Sequence, residues 1–356
     1  SGWLAALTKQ FKYPGIQSCA GDGLCSTSCP MQINTGEMIH DLRAQALPKG
    51  SAGYKVGDFA ANHLSAVKSA LRPVLSAAGA AHAVIGDKAT DAVGRGLSKL
   101  GMPMWSSAFP LAYYPHAIKT QPSELKVVYF PSCINQTMGK SKGQSTPLID
   151  KMVALMEKAG YEVIFPKNMK NLCCGTIWES KGMPDIADRK AKELDDALFE
   201  ASDGGRYPVL CDQSPCLHRM RNTIKRVKLY EPVEFIYEYL APHLRFVQTD
   251  EPVALHFTCS TRHMKLNDMF VALAGMCTTK VVVPEEVGCC GFAGDKGFTD
   301  PEVNRYALRK LRKQLEAAGV KRGFSNSRTC EIGLTVNGGV PYQSIAYLVD
   351  ECTIKK

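Results

Sequence analysis

The sequence contains the same cysteine doublet twice, as Cys173-Cys174-Gly175 and as Cys289-Cys290-Gly291. Two adjacent cysteines rarely serve ordinary packing, because neighbouring side chains normally point to opposite sides of the backbone. They cannot easily form a disulfide with each other, since adjacent Cα atoms lie only about 3.8 Å apart. Two neighbouring thiolates can, however, face one inorganic core, and the following glycine lets the backbone pass close by. The repeated doublet therefore predicts a repeated ligand set.

After residue 124, the order of the other sequence features also occurs twice. In each half, a β-strand pattern ends at a cysteine, a helix and a second strand precede the doublet, and a third strand precedes another cysteine. The distance along the chain between corresponding cysteines shrinks gradually, as loop deletions in one copy would produce. We therefore predict two α/β units related by duplication, at residues 124–245 and 246–356.

The cysteines of each half occupy positions where a metal site is expected. In α/β units, ligands gather at the loops that follow the carboxyl ends of the strands. We therefore expect thiolates from three such loops to converge in each unit. The candidate ligands are Cys133, Cys173, Cys174 and Cys216 in the first unit, with Cys211 as a fifth, and Cys259, Cys289, Cys290 and Cys330 in the second.

The two halves differ in their number of cysteines. The first half has the extra cysteine, so we expect its unit to be the better holder of a cluster. In the second half, Asn326 and Ser327 stand where a partner of Cys330 would be expected, so this unit is one ligand short. Cys277 and Cys352 fall outside both sets, and we expect them to be thiols of the core or the surface.

Residues 1–50 contain a third group of cysteines, formed by Cys19, Cys25 and Cys29. The bacterial ferredoxin run is C-x2-C-x2-C-x3-C-P, and these cysteines match its first, third and fourth positions. Asp22 occupies the second position, where its oxygen or a water molecule could complete a [4Fe–4S] cube or leave a three-iron cluster. The fourth ligand could also come from elsewhere in the fold, and a small zinc or structural loop is the alternative.

The segment between this group and the two units has no metal-ligand pattern. Pro30 predicts the start of a first helix. Within residues 51–123, apolar residues that include Val56, Phe59 and Leu71 recur at helical spacing. We predict a helical spacer that ends in a proline-containing linker.

Composition limits the class of protein. The chain has 356 residues, 14 cysteines and a net charge of +9. It is too long for a small disulfide-stapled scaffold, so we expect reduced cysteines and a cytoplasmic location, with a peripheral place at the inner membrane face as an alternative. No run of about 18 apolar residues is present, which predicts no membrane span. The basic residues are scattered, which favours a solvated surface over a nucleic-acid site.

Two further expectations concern the whole protein. The chain begins Ser-Gly-Trp, without Met and without a signal-peptide pattern, so we expect the natural protein to begin upstream. The composition is also compatible with a homo-oligomer.

Three chemical roles compete for the cysteines. Soft sulfur ligands select zinc, copper(I) or iron–sulfur clusters. An iron–sulfur cluster fits both the sulfur-rich sets and the ferredoxin-like loop, and it is our prediction. Structural zinc is an alternative, although it usually uses Cys-x2–4-Cys knuckles rather than doublets. Catalytic thiols or a redox disulfide form the third alternative, although pairing adjacent cysteines is strained.

Taken together, these residues resemble a known family. The duplicated Cys…Cys-Cys-Gly…Cys units resemble the cysteine-rich, or CCG, domains found in one of the chains of heterodisulfide reductase (its B chain). They also resemble the iron–sulfur chains of glycolate oxidase and anaerobic glycerol-3-phosphate dehydrogenase. The run from Cys19 to Pro30, with the run from Cys289 to Gly297, resembles a narrower group. That group is the C-terminal iron–sulfur half of FAD-linked D-2-hydroxyacid dehydrogenases of the D-lactate and D-2-hydroxyglutarate type.

The resemblance implies an α/β protein with a ferredoxin-like helical N-terminal segment followed by two CCG units. It also implies an electron-transfer role. A flavin module outside these residues would bind FAD and oxidise the hydroxy acid, and the cysteine-rich half would pass the electrons to an acceptor. Two other functions stay open: a heterodisulfide-reductase-like thiol/disulfide module and a zinc-stabilised interaction domain.

Overall fold

The chain begins with short helices that carry the first cysteine-rich loop. The computed structural model describes residues 2–98, 106, 108–140 and 144–356. The first helices are α1 (Gly2–Phe11), a π-helical turn (Lys12–Gln17), α2 (Leu24–Ser28) and α3 (Thr35–Ala46). The side chain of Asn34 accepts a hydrogen bond from Gly36 N and thereby caps α3. The predicted helix start at Pro30 is therefore wrong, because the chain continues as a turn until this cap.

Two further helices, α4 (Ala52–Asn62) and α5 (Leu64–Ser98), form the described part of the predicted spacer. α5 is broken at Gly86, where φ is 78° and ψ is 171°. Both helices pack against the first unit. The Trp178 indole donates a hydrogen bond to the Gly57 carbonyl at 3.0 Å, and Ser65 N donates to the Asn171 side chain at 3.2 Å.

The apolar stripe of the spacer faces solvent, although the predicted helical spacing is present. Val56 is 68% exposed and Phe59 is 61% exposed. The buried face instead carries Lys68 and Arg72, which are 3% and 9% exposed. Both cations bind Gln136, because Lys68 Nζ donates to its side-chain oxygen at 2.7 Å and Arg72 Nη2 to its main-chain oxygen at 3.0 Å. Polar contacts therefore hold this helix against the first unit together with the buried Leu64, which packs in the core of that unit.

The first α/β unit is built on four parallel strands. They are β1 (Lys126–Phe130), β2 (Glu162–Ile164), β3 (Val209–Cys211) and β4 (Leu229–Tyr230). The helices are α6 (Leu148–Lys158), α7 (Thr176–Ser180), α8 (Pro184–Ala201), α9 (Ser214–Thr223) and α10 (Pro232–Phe235). Val127 to Phe130 are all buried, as expected for a central parallel strand that is covered on both faces.

The second unit has the same construction and ends in a small antiparallel pair. Its strands are β5 (Leu244–Phe246), β6 (Val253–Leu255), β7 (Val281–Val282), β8 (Arg322–Phe324), β9 (Tyr342–Gln343) and β10 (Thr353–Lys355). Its helices are α11 (Cys259–His263), α12 (Asn267–Cys277), α13 (Lys296–Thr299), α14 (Pro301–Ala307), α15 (Leu311–Ala317), α16 (Arg328–Gly338) and α17 (Ile345–Glu351). β5, which follows the first unit, pairs with β10 at the other end of the second unit.

The two parallel sheets share one topology. The first has the order β2-β1-β3-β4, and the second has the corresponding order β7-β6-β8-β9. In the first sheet, the chain runs from β1 to β2 on one side of it, and then returns to add β3 and β4 on the other side of β1. The second sheet is built in the same way from β6, β7, β8 and β9. The carboxyl ends of these central strands therefore form a topological switch point, where α/β proteins bind ligands. The predicted α/β class with duplicated units is confirmed.

The two units also share a hydrophobic core. Tyr129 and Met152 of the first unit belong to the same buried cluster as Phe270 and Leu348 of the second. α6 packs against α17 across this cluster. Burial of each such large side chain contributes about 1.5–3 kcal/mol, so each unit stabilises the other. Among the described residues, no helix is both long and apolar enough to cross a membrane.

A buried arginine joins the units on the polar side of this contact. Arg328, at the start of α16, is 1% exposed. Its guanidinium pairs with Glu331 at 2.8 Å and donates to the Asn135 side chain at 3.1 Å and to the Gly139 carbonyl at 3.1 Å. Burial raises the pKa of Glu331 to about 7, and the charge of Arg328 opposes that shift. The arginine therefore stabilises a carboxylate that burial alone would neutralise.

We expect Arg328→Met to destabilise the protein by about 3–5 kcal/mol, because removal of one partner leaves the other polar groups buried and unpaired. Urea unfolding, followed by circular dichroism, measures this change. Arg226→Met is the matched control, since Arg226 pairs with Asp195 and Asp196 on the surface. The Arg226→Met substitution should lower the free energy of unfolding by no more than about 1 kcal/mol. Equal losses in the two variants would contradict the role of Arg328.

A second buried carboxylate predicts a pH-dependent stability. Glu231 accepts hydrogen bonds from Val233 N at 2.6 Å and from the Asn326 amide of the other unit at 2.8 Å. Burial nevertheless raises the pKa of Glu231 from 4.5 to about 7. The folded chain therefore holds this proton more tightly than the unfolded chain. The contribution of Glu231 to stability is full below pH 4.5, falls as pH rises towards 7, and is constant above it.

The expected size of this loss is roughly 3 kcal/mol, since one pKa unit corresponds to about 1.4 kcal/mol. Urea unfolding between pH 5 and pH 8 should show it. Glu231→Gln should remove the contribution of Glu231 to this loss and leave that of Glu331, whereas the exposed Glu200→Gln should leave the profile unchanged. A profile of the Glu231→Gln variant that is parallel to that of the wild type would refute this assignment.

Candidate metal centres

Four of the predicted ligands of the first unit lie together at its switch point. Cys133 follows β1, Cys173 and Cys174 precede α7, and Cys216 lies in the first turn of α9. The Sγ atoms of Cys133 and Cys173 are 3.9 Å apart. The Cys174 side chain also interacts with those of Cys173 and Cys216, and these neighbours alter its pKa. The four sulfur atoms therefore form one continuous group, built from three loops.

Cys211, the predicted fifth member, lies apart from this chain of contacts. It is the last residue of β3 and is fully buried. Its Sγ atom lies 3.8 Å from the Gln213 carbonyl oxygen. Burial raises the pKa of Cys211 well above its usual range, so the side chain remains a neutral thiol. Cys211 as a fifth ligand therefore remains a prediction.

The charges in the first group are in conflict. Hydrogen bonds from the Cys173 and Cys216 thiols hold the pKa of Cys174 well below its usual range. A hydrogen bond from Cys173 likewise lowers the pKa of Cys133. Hydrogen bonding thus favours negative charge on Cys133 and Cys174, whereas burial opposes it, because unpaired negative charge is costly in a buried space. A cationic metal or cluster that replaces the remaining protons would remove this conflict, so the donor set fits such a group.

Two cations near this group were not recognised as site residues from the sequence. Lys68, from α5, is buried near Cys133 and Cys173, whose charges favour its protonated form. Burial is nevertheless the larger effect and lowers the pKa of Lys68 to about 8. Arg219, three residues after Cys216, is 6% exposed and donates to the Cys174 carbonyl at 2.9 Å. The helical spacing of α5 could not show which of its faces meets the cysteines.

The second unit gathers its four predicted ligands in two close pairs. Cys259 opens α11, and its Sγ atom lies 3.4 Å from that of Cys289. The Sγ atom of Cys290 lies 3.0 Å from that of Cys330 in α16. Because Cys289 and Cys290 are adjacent in sequence, the Cys259–Cys289 pair and the Cys290–Cys330 pair meet at the switch point of the second sheet. The expectation that this unit is the poorer holder of a metal remains a prediction.

Asp22 of the N-terminal loop reaches this second group. Its Oδ2 atom lies 3.0 Å from the Sγ atom of Cys259 and 3.3 Å from that of Cys289. Among the described residues, these three are the one set of His, Cys, Asp or Glu ligand atoms that all lie within 4.8 Å of one another. The carboxylate predicted to belong to the ferredoxin-like loop thus lies at the switch point of the second unit.

The three cysteines of the N-terminal loop are not brought into such a set. The Sγ atom of Cys19 accepts a hydrogen bond from Gly21 N at 3.3 Å. The exposed Cys25 lies 3.1 Å from the Thr35 hydroxyl, and this hydrogen bond lowers the pKa of Cys25. Cys29 is partly exposed after α2. A ferredoxin-type cluster at Cys19, Cys25 and Cys29 therefore remains a prediction.

Cys277 and Cys352 require a correction. The structure joins them in a disulfide between the end of α12 and the residue after α17, with their Cα atoms 5.6 Å apart. The prediction of two separate thiols is therefore wrong. α12 and α17 pack against each other, and this contact, which the sequence did not reveal, brings the two cysteines together.

The geometry of the first unit gives a direct test of its ligand set. We expect Cys216→Ala to lose the metal of the first unit, because it removes one of four neighbouring sulfur atoms. Cys211→Ala, a matched change nearby in the same unit, should keep that metal. Iron and zinc per chain, measured by plasma mass spectrometry, separate the two variants. Equal loss of metal from Cys211→Ala would show that Cys211 is a ligand.

The chain is similar in sequence to a protein named for lactate utilization. The "Lactate utilization protein A 1" of Bacillus mycoides (strain KBAB4) is 22% identical to this chain over 248 residues, which are 64% of this chain and 97% of that protein. Two solved structures also align with 64% of the chain. A putative Asp/Glu racemase from Yersinia pestis is 12% identical, is covered to 96% and has a TM-score of 0.30. An aspartate racemase homologue from Pyrococcus horikoshii OT3 is 14% identical, is covered to 96% and has a TM-score of 0.25. These TM-scores are too low to support any argument.

The family model described as "Cysteine-rich domain" (CCG) matches residues 127–221 and 253–335. These two segments together make up half of the chain. Each contains one cysteine doublet and the two single cysteines that meet it at a switch point. The chain therefore belongs to the family of proteins with the cysteine-rich CCG domain.

Proposed function

We propose that this chain is an iron–sulfur electron-transfer module in the oxidation of a D-2-hydroxy acid. The observation that carries the proposal is the convergence of two sulfur-rich groups at equivalent switch points. Soft thiolate sets of this kind suit iron–sulfur clusters. The relative named for lactate utilization supports a hydroxy acid such as lactate as the source of the electrons.

The cofactor in this proposal is an iron–sulfur cluster, of the [4Fe–4S] type, in at least the first unit. When bound, such a group accepts and releases single electrons at a potential within roughly −700 to +450 mV. The residues of this chain would hold it and set that potential. The cluster would be bound by Cys133, Cys173, Cys174 and Cys216. The burial of these side chains would exclude water from it. Lys68 offsets their negative charge.

The partner in this proposal is a flavin module, fused or separate, that binds FAD and oxidises the hydroxy acid. A flavin can give up its two electrons one at a time, so a one-electron carrier is a suitable next step. An electron acceptor would then take them from this chain. We place this exchange in the cytoplasm.

A second candidate, a zinc-stabilised interaction domain, is favoured by the short distances between sulfur atoms. Zinc–sulfur bonds of about 2.3 Å in a tetrahedron place the sulfur atoms roughly 3.8 Å apart. The Cys133–Cys173 distance is 3.9 Å, and the Cys259–Cys289 distance is 3.4 Å. Metal analysis therefore decides between an electron carrier and a structural metal domain.

We expect anaerobically purified protein to be brown and to contain iron and acid-labile sulfide in about equal amounts. Dithionite or photoreduced flavin should bleach the visible absorbance, because a one-electron carrier accepts electrons from either donor. Cys174→Ser and Cys290→Ser should each remove the iron of one unit. Cys25→Ser is the control for the N-terminal loop and should keep the iron of both units. Colourless protein with stoichiometric zinc would leave only the zinc-stabilised domain.

A further inference from the structure

The N-terminal loop places one carboxylate oxygen between two thiols of a distant part of the chain. Asp22 Oδ2 lies 3.0 Å and 3.3 Å from the Sγ atoms of Cys259 and Cys289, which are themselves 3.4 Å apart. The three residues come from the loop before α2, from the start of α11 and from the loop before α13. Sites built from three separate segments in this way are typical of bound ions, since each segment supplies one ligand.

The loop around Asp22 is shaped to deliver this oxygen. The other oxygen of the carboxylate accepts a hydrogen bond from Leu24 N at 3.2 Å, so only Oδ2 points to the sulfur atoms. The ring of His263 lies 2.8 Å from the Asp22 carbonyl oxygen and holds the backbone in place. Gly21 and Gly23 flank the aspartate with φ values of 64° and 71°, a left-handed conformation that favours glycine. The carboxylate is therefore held in one orientation.

The chemistry of the three atoms indicates a divalent cation. The Cys259 and Cys289 thiols both donate hydrogen bonds to Asp22 Oδ2, and a divalent cation can replace their two protons and meet all three ligand atoms. A mixed set of one oxygen and two sulfur ligands suits a borderline metal such as Zn²⁺ or Fe²⁺ and is unsuitable for Mg²⁺ or Ca²⁺, which prefer oxygen.

We propose that Asp22 is a ligand of the metal centre of the second unit, so that a bound Zn²⁺ or Fe²⁺ ties the N-terminal loop to Cys259 and Cys289. The inference rests on the proposed function in one respect, since it requires that the second unit holds metal. The proposal gives Asp22 two fellow ligands, Cys259 and Cys289, that lie outside the ferredoxin-like loop.

One consequence is a mutual dependence between metal binding and loop docking. Because the ion contacts both parts, docking of the loop raises the affinity for metal, and metal strengthens the docking by the same factor. Other contacts of the segment do not involve this site. The Tyr13 hydroxyl donates to Asp300 at 3.1 Å and to Glu302 at 2.8 Å, and Arg43 donates to the Ser180 carbonyl at 2.9 Å. Only the loop from residue 19 to residue 34 should therefore respond to metal.

The first test is a Co²⁺ titration of the full, metal-free and reduced chain, followed by thiolate-to-metal absorbance. Asp22→Ala should weaken one class of sites at least tenfold, as should Cys259→Ser. Asp300→Ala is the matched control, since it removes a carboxylate from the same interface without touching the three ligands. It should leave the titration unchanged. A wild-type titration curve for Asp22→Ala would overturn the proposal.

A substitution that adds a ligand sharpens this test. Asp22→Cys should increase the thiolate-to-Co²⁺ absorbance, because sulfur would replace oxygen at the ion. Combination with Cys259→Ser should abolish the increase, whereas combination with Cys25→Ser should preserve it. If Cys25→Ser abolished the increase and Cys259→Ser preserved it, residue 22 would belong to the N-terminal cysteine set, and the proposal would be overturned.

The second test reads the loop directly by hydrogen–deuterium exchange. Addition of Co²⁺ to the wild-type chain should slow amide exchange in the peptide 18–35, and Asp22→Ala should remove this effect. Metal-independent exchange in the wild-type peptide would contradict the inference.

These outcomes are distinct from those that test the electron-transfer role. Purified protein without iron and sulfide would defeat the proposed function, but an Asp22-dependent Co²⁺ site would still support the inference. Conversely, iron–sulfur protein whose metal is insensitive to Asp22→Ala in the Co²⁺ titration would defeat the inference alone.

Discussion

The structure depends on bringing several thiols into small buried spaces, where their negative charges oppose one another. Parallel sheets make this placement possible, because the loops after their strands meet at one edge. Negative charge on these thiols raises the free energy of the folded state, because water does not solvate a charge in a buried site. Interactions between Cys173, Cys174 and Cys216 lower the pKa of Cys174 and raise those of Cys173 and Cys216. A cation that replaced the thiol protons would lower this electrostatic cost.

The duplication produces two such groups of cysteines, one at each switch point, but the charged residues around them differ. At the first, the buried cation Lys68 comes from the spacer helix, while Arg219, which holds the Cys174 carbonyl, is paired with Glu179 and Asp188. At the second, the neighbour is the carboxylate of Asp22. Positive surroundings stabilise the reduced, more negative form of an iron–sulfur group and raise its potential, whereas a negative ligand lowers it. If both units hold redox groups, they should therefore differ in potential, with the first unit higher.

The sequence was sufficient to predict the features that repeat along the chain. The two doublets and the shared order of strands predicted the α/β class, the duplication and the edge at which the cysteines meet. Contacts between distant segments were not predictable in the same way. Nothing in the ferredoxin-like spacing indicated that Asp22 faces the second unit, and helical periodicity could not show that α5 buries Lys68 and exposes its apolar stripe. The pairing of Cys277 with Cys352 likewise depends on helix packing across 75 residues of chain.

The pairing of β5 with β10 has a consequence for the order of folding. β5 connects the two units, and its hydrogen-bonding partner is the strand that follows every other element of the second unit. During synthesis the first unit can therefore complete its parallel sheet while the connecting strand still has an open edge. That edge is closed only when the last strand has left the ribosome. The β5–β10 pair is accordingly a contact of long sequence separation that forms late, which is a slow type of step.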